Sequence, residues 1–173
     1  LGGWPAVRAI VLAAITGLPE YVDVLIETGA TTDVFVHAVR GDVAAVRRAL
    51  ARDASVATRR DTSQLTALQC AAASRLWRVS ATTSARLVDV ARWLIDARAD
   101  VGATTISRNH PVDAIYFAAS AHHAPMFALL LERGADPTHA LVPALWNGGD
   151  AFGVLAEMAL AHGADVNRAS AEG

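Results

Sequence analysis

A chain of 173 residues holds one domain with a substantial core and is too short for two. Its net charge of −2, with acids and bases interspersed, leaves no electrostatic footprint for nucleic acid or an anionic membrane. One cysteine, Cys70, excludes an internal disulfide and a Cys-rich metal site and suits a reducing compartment, so a cytoplasmic location is expected. All 15 basic residues are Arg and Ala is abundant, which reads as the composition of a GC-rich bacterial genome rather than as function.

The first apolar run, "AIVLAAITGL" (9–18), is broken by Thr16 and Gly17 and has no basic region before it. It reads as one unit of a repeated pattern, not as a signal peptide or a membrane span. In chain order, "LAAITGLPEYVDVLIETGA" (12–30), "VRGDVAAVRRALARDA" (39–54) and "FAASAHHAPMFALLLERGA" (117–135) align without gaps. Each predicts a small-residue helix, a turn at Gly17, Gly41 or His122, an amphipathic helix, and a stop at Gly29, Asp53 or Gly134. Turn and stop lie 12 residues apart in all three. Two further units keep the pattern with longer turns, "TALQCAAASR" with "VARWLIDARA" (66–99) and "LVPALWNGG" with "LAEMALAHGA" (141–164). In "YVDVLIETGA", Val22, Leu25 and Ile26 form one apolar stripe, and Gly29 supplies the left-handed residue that closes the helix. No such pair buries its apolar face alone, so neighbouring pairs are expected to stack.

These residues resemble the ankyrin-repeat family. Its T-P-L-H-x-A-A motif is matched best by "TALQCAA" at Thr66–Ala72, and more weakly by "RAIVLAA" at Arg8–Ala14, "DAIYFAA" at Asp113–Ala119 and "HALVPAL" at His139–Leu145. The repeat end G-A-D-V-N is matched by "GADVN" at 163–167, and in part by "GADP" at 134–137 and "ADVGA" at 99–103. The resemblance implies an all-α solenoid of about five helix pairs in a single domain, 1–173, with repeats near 5–30, 33–54, 62–99, 110–135 and 138–164. The spacing from each stop to the next turn leaves room for the family's β-hairpin finger after repeats two and three but not after repeats one and four. Repeat three carries about eleven extra residues within "LWRVSATTSAR" (76–86), on the edge opposite the fingers by the family's geometry. They read as a surface loop, with an added contact involving Trp77 as the alternative. Both ends look uncapped, so a piece of a longer array, able to self-associate, is expected.

The family's usual role implies a protein-interaction module that docks another protein on its concave face. Its contact slots fall on Thr62, Ser63 and Leu65 in the first finger and on Asn109, His110 and Val112 in the second. On the inner helices they fall on Ser74, Ser120, Trp146 and Asn147, with Ile15, Thr16, Ala73 and Ala121 beside them. Trp146 is the best anchor candidate, with core packing as the other reading. An enzyme or small-molecule site in the groove is the alternative function, because Asp33, His37, Asp113, Tyr116, His139 and Trp146 can all face it. His123 and His162 read as structural, and His37 as packed rather than ligating. Neither His110 nor His139 has the i, i+4 partner or carboxylate spacing of a zinc site. No cofactor, metal, nucleic acid or membrane partner is expected.

Overall fold

The structure, a computed structural model, describes residues 7–107, 110–146 and 151–168, and the side chains of 146, 151 and 152 are left aside. The described residues are mostly helical, with one two-stranded hairpin. Five helix pairs follow in order: α1 (Ala9–Thr16) with α2 (Pro19–Glu27), α3 (Val34–Arg40) with α4 (Val43–Arg52), α5 (Ala67–Ala73) with α6 (Ala81–Asp96), α7 (Ala114–Ala121) with α8 (Ala124–Glu132), and α9 (Leu141–Trp146) with α10 (Ala151–Ala161). The first members pack side by side in the order α1, α3, α5, α7, α9, and α4, α6, α8 and α10 form a second row. Helix α2 packs principally on α1 rather than continuing that second row.

Small side chains let the first row approach closely. All seven residues of α5, "ALQCAAA", are buried between α3 and α7. The second row anchors itself with larger apolar stripes, such as Leu87, Val90, Ala91 and Leu94 of α6, all fully buried. Each buried Leu of that stripe contributes roughly 1.5–3 kcal/mol. Helix starts are capped by side chains: Asp33, Asp42, Ser80 and Asp113 each accept first-turn backbone N–H groups, and Thr66 with Gln69 forms a capping box. The turn after α3 needs Gly41, whose φ is +70° and where an added Cβ would lie 3.3 Å from Leu87. His122 and Arg98 take the same left-handed conformation, at φ of +58° and +71°, without being glycine.

The connections differ by junction. Between pairs three and four, β1 (Thr105–Ser107) and β2 (His110–Val112) form an antiparallel hairpin pairing Thr105 with Val112 and Ile106 with Pro111. Between pairs two and three there is a tight loop with a single bridge, Arg60 to Thr66. The buried carboxylate of Asp61 closes that loop by accepting the N–H groups of Ser63 and Leu65 at 2.8 and 2.9 Å. Junctions one-to-two and four-to-five show no strand among the described residues, and pass into the caps Asp33 and Asp136.

Residues 76–86 are ordered structure rather than the expected loop. A 3-10 turn at Leu76–Arg78 leads to Ser80, which caps α6, and α6 runs 16 residues because the extra segment has become its first turns. Helix α6 therefore reaches well beyond α4 and α8 at the turn edge of the molecule. Among the described residues no helix is long and apolar enough to cross a membrane.

Candidate functional site

The starts of the first-row helices share a way of being fixed. Asp33 caps α3 through Phe35 N and Val36 N, both at 3.1 Å, and its two oxygens receive the Arg8 guanidinium in a fork at 2.9 and 3.0 Å. Arg8 also lies over the Phe35 ring, 5.9 Å from its centre. Gln69 accepts from Thr66 N at 2.8 Å while its amide donates to the Ala103 carbonyl at 2.8 Å and the Val112 carbonyl at 3.4 Å. That buried side chain ties α5 to the base of the hairpin. Asp113 caps α7 through Tyr116 N at 3.0 Å, and its other oxygen lies 2.6 Å from His139 Nδ1. These ties join the first pair to the second, the third to the hairpin that leads into the fourth, and the fourth to the fifth.

The Asp113–His139 pair has the geometry acid–base chemistry uses. Asp113 has a side chain 3% exposed, and His139 one 33% exposed. The Nδ1 edge of the imidazole faces the buried carboxylate, and Nε2 lies on the opposite edge of the ring. Asp136 stands 3.8 Å from that Nε2. Partial burial works to raise the Asp136 pKa, but hydrogen bonds from Thr138 and the charges of His139 and Arg168 outweigh it and hold the carboxyl below its ordinary value. Two of the other proposed members are engaged elsewhere: Asp33 is taken by Arg8, and His37 Nδ1 faces Asp42 at 3.3 Å. Among the described residues no group of three or more His, Cys, Asp or Glu side chains is placed to hold a metal ion.

Three expected contact residues are core instead. Leu65 is 1% exposed and Val112 2%, and Ser74 is fully buried with its hydroxyl donating to the Val39 carbonyl at 2.7 Å. The reason for Val112 is strand alternation: it pairs with buried Thr105, so the outward-facing pair is Ile106 with Pro111. Ile106, 63% exposed, is not among the individual contact slots read from the sequence, although alternation from an inward Val112 points to it and to Pro111. Thr62 is exposed, and Ser63, His110 and Ser120 are partly so. Asn109 and Asn147 lie outside the described residues, as does the side chain of Trp146, whose backbone ends α9.

The opposite edge is organised by the insertion. Trp77 stacks on His123 with ring centres 5.3 Å apart and planes within 3° of parallel, and its Nε1–H donates to the Ala121 carbonyl at 3.0 Å. His123 is fully buried, with Nε2 2.7 Å from Ser84 Oγ and no hydrogen-bond partner for Nδ1 among the described residues. Burial drives its pKa down from 6.5 to about 4, so it is neutral and structural. Burial, then the charges of Arg78 and Arg75, also lowers His122. Cys70 is inert as expected: burial, aided by the Asp61 charge, pushes its thiol up.

Two cavities lie away from the hairpin edge. One of about 630 Å³ sits between α4 and α6, where Arg47 lies 4.5 Å from the centre of the Trp93 ring. The other, about 530 Å³, sits between the starts of α2, α4 and the extended α6. In comparisons with known proteins, no family model matches this chain, and no curated protein matches it at a significant level.

Proposed function

We propose that the five helix pairs form an ankyrin-type solenoid, and that the chain is a protein-interaction module of a bacterial cytoplasm. The observation that carries this reading is the exposed Ile106–Pro111 pair on the hairpin, beside a first row of helices packed side by side. A surface fixed in advance loses little entropy on docking. The chain's other exposed large apolar side chains support self-association as well. Apart from Val79, Trp93 and Ile106, those among the described residues lie on the first and last helix pairs or just beyond: Leu12, Leu18, Tyr21 and Val24 at one end, and Val142, Leu145, Val154, Leu160 and Val166 at the other.

A photo-crosslinking amino acid at position 106 tests the interaction reading in cells of the source organism. It is expected to trap a discrete protein that a probe at exposed Val24 does not, and Ile106→Glu is expected to abolish co-purification of that protein. Equal capture from both positions, with no effect of Ile106→Glu, refutes it.

The Asp113–His139 geometry favours a second reading, a small-molecule or catalytic site at the same edge. Thermal-shift screening of small molecules against the native chain and His139→Ala separates the two. A ligand whose stabilisation disappears in the variant supports the second reading.

A further inference from the structure

The insertion has no part in the hairpin edge, yet it builds a cavity. Because α2 leaves the second row, a gap opens between the start of α2 and the start of α4. The segment after α5 spans it: Arg75 N–H donates to the Ala14 carbonyl at 3.1 Å, and the first turns of α6 then stand over the opening. The resulting cleft of about 530 Å³ falls within the usual range for small-molecule sites.

Its lining has an apolar wall and two charges of each sign, of which one guanidinium has no ion-pair partner among the described residues. Val22 and Leu76 are buried at 2% and 6% exposure, while Val79, at the same cleft, is 56% exposed. Four charged side chains face it. Asp42 is engaged by Ala45 N at 3.0 Å and by His37 at 3.3 Å. Asp23 and Arg40 compensate each other loosely at 3.7 Å. Arg86 has no carboxylate within 4 Å among the described residues. One unmatched guanidinium beside an exposed aliphatic surface calls for a ligand with one negative group and an apolar body.

We propose that this cleft binds a small organic carboxylate, with its apolar part on Val22, Leu76 and Val79 and its carboxylate forked by Arg86 with Arg40 alongside. An Arg–carboxylate fork fixes orientation as well as charge. The aliphatic wall makes the site selective against a bare anion such as phosphate, which has nothing to place on it. The site is independent of whatever binds at the hairpin edge.

The test is a two-dimensional amide NMR titration of the full chain with three probes: 4-methylpentanoate, its neutral amide 4-methylpentanamide, and inorganic phosphate. Saturable shifts are expected at the amides of Gly41, Val79 and Arg86 with the carboxylate. Binding of the neutral amide and binding of the carboxylate to Arg86→Gln should each be about tenfold weaker or more, the scale of losing a charge-assisted hydrogen bond. Val79→Asp, an exposed change that sets a negative charge against the ligand, should weaken it likewise, and Arg47→Gln in the other cavity should not. The proposal is overturned if carboxylate and amide bind alike, if Arg86→Gln or Val79→Asp binds unchanged, if phosphate binds as tightly, or if no shift saturates.

Discussion

Replacing Trp77 by Ala measures how firmly the inserted segment is docked. The indole Nε1–H bond to the Ala121 carbonyl is lost, removing about 1 kcal/mol. The parallel stack on His123 goes too, another 0.5–1.5 kcal/mol or so. Trp77 is only half-buried, so the remaining transfer loss is a fraction of the roughly 3–5 kcal/mol seen for core Trp→Ala changes. The sum is a destabilisation of about 3 kcal/mol in urea unfolding. A second readout follows from the same contact, because the ring covers His123. With water admitted, the imidazole pKa should climb from about 4 towards 6.5, visible in the titration of its ring protons by NMR. Trp77→Phe keeps a ring but no donor, so it should lose about 1 kcal/mol while His123 stays near its native value. A loss under about 0.5 kcal/mol with His123 still titrating near 4 refutes the docking and makes the segment an idle extension of α6.

His123 should also make stability pH-dependent. The unfolded chain takes up the proton first, so stability falls as pH drops from 6.5 and has lost about 3 kcal/mol by pH 4 from this group. His123→Gln should flatten that part of a stability–pH series measured by urea unfolding. His139→Ala leaves the buried Asp113 carboxylate without its imidazole partner and should destabilise by about 2 kcal/mol in the same assay, below the cost for a fully buried pair because His139 is partly exposed. In a double-mutant cycle with Asp113→Asn, the two changes should be far from additive. Gly41→Ala should lower the urea midpoint by the equivalent of about 1–2 kcal/mol for the left-handed backbone, plus the 3.3 Å contact with Leu87. Gly29→Ala should show the backbone effect alone, since nothing lies within 4 Å of an added Cβ there.

What the sequence made legible was local. Helix stripes and stops repeat at fixed spacing, so the pairs could be placed from residues a few positions apart, and even Arg98 and His122 keep the left-handed stop or turn that glycine takes elsewhere. The inserted segment escaped because its added turns, "ATTSAR", lie at the surface, where a helix shows no apolar stripe to find. The Ser80 cap, accepting from Thr83 N, was the one available signal. Contact slots carried over from a resemblance failed at Val112 because it takes the inward place opposite Thr105 in the hairpin, and at Ser74 because burial there is decided by a partner far along the chain. The Ser74 hydroxyl donates to the carbonyl of Val39. His139 and Asp113 were both candidates for the groove, but nothing in their spacing of 26 residues revealed that they touch.

The inserted segment also bears on the first helix pair, which lacks a hairpin to its neighbour and whose α2 does not continue the second row. Its tie to the third pair is the Arg75 N–H bond to the Ala14 carbonyl at 3.1 Å, while the Arg75 guanidinium reaches the Ser120 carbonyl at 3.1 Å in the fourth. Arg75 thus straps the first, third and fourth pairs at the turn edge. Arg75→Pro removes both bonds and also sets a ring carbon against the Ala14 carbonyl, because the Arg75 N–H it replaces points at that oxygen. Arg75→Ala removes only the guanidinium bond. Ala14 O keeps a second donor, Gly17 N at 3.2 Å, so the loss of the backbone bond should sit near the low end, about 1 kcal/mol. Native-state hydrogen exchange should then show α1 and α2 amides exchanging at least about fivefold faster in Arg75→Pro than in Arg75→Ala, with α9 and α10 alike in the two. Equal protection of α1 and α2 in both variants would mean that packing of the first pair on α3 and α5 holds it without the Arg75 strap.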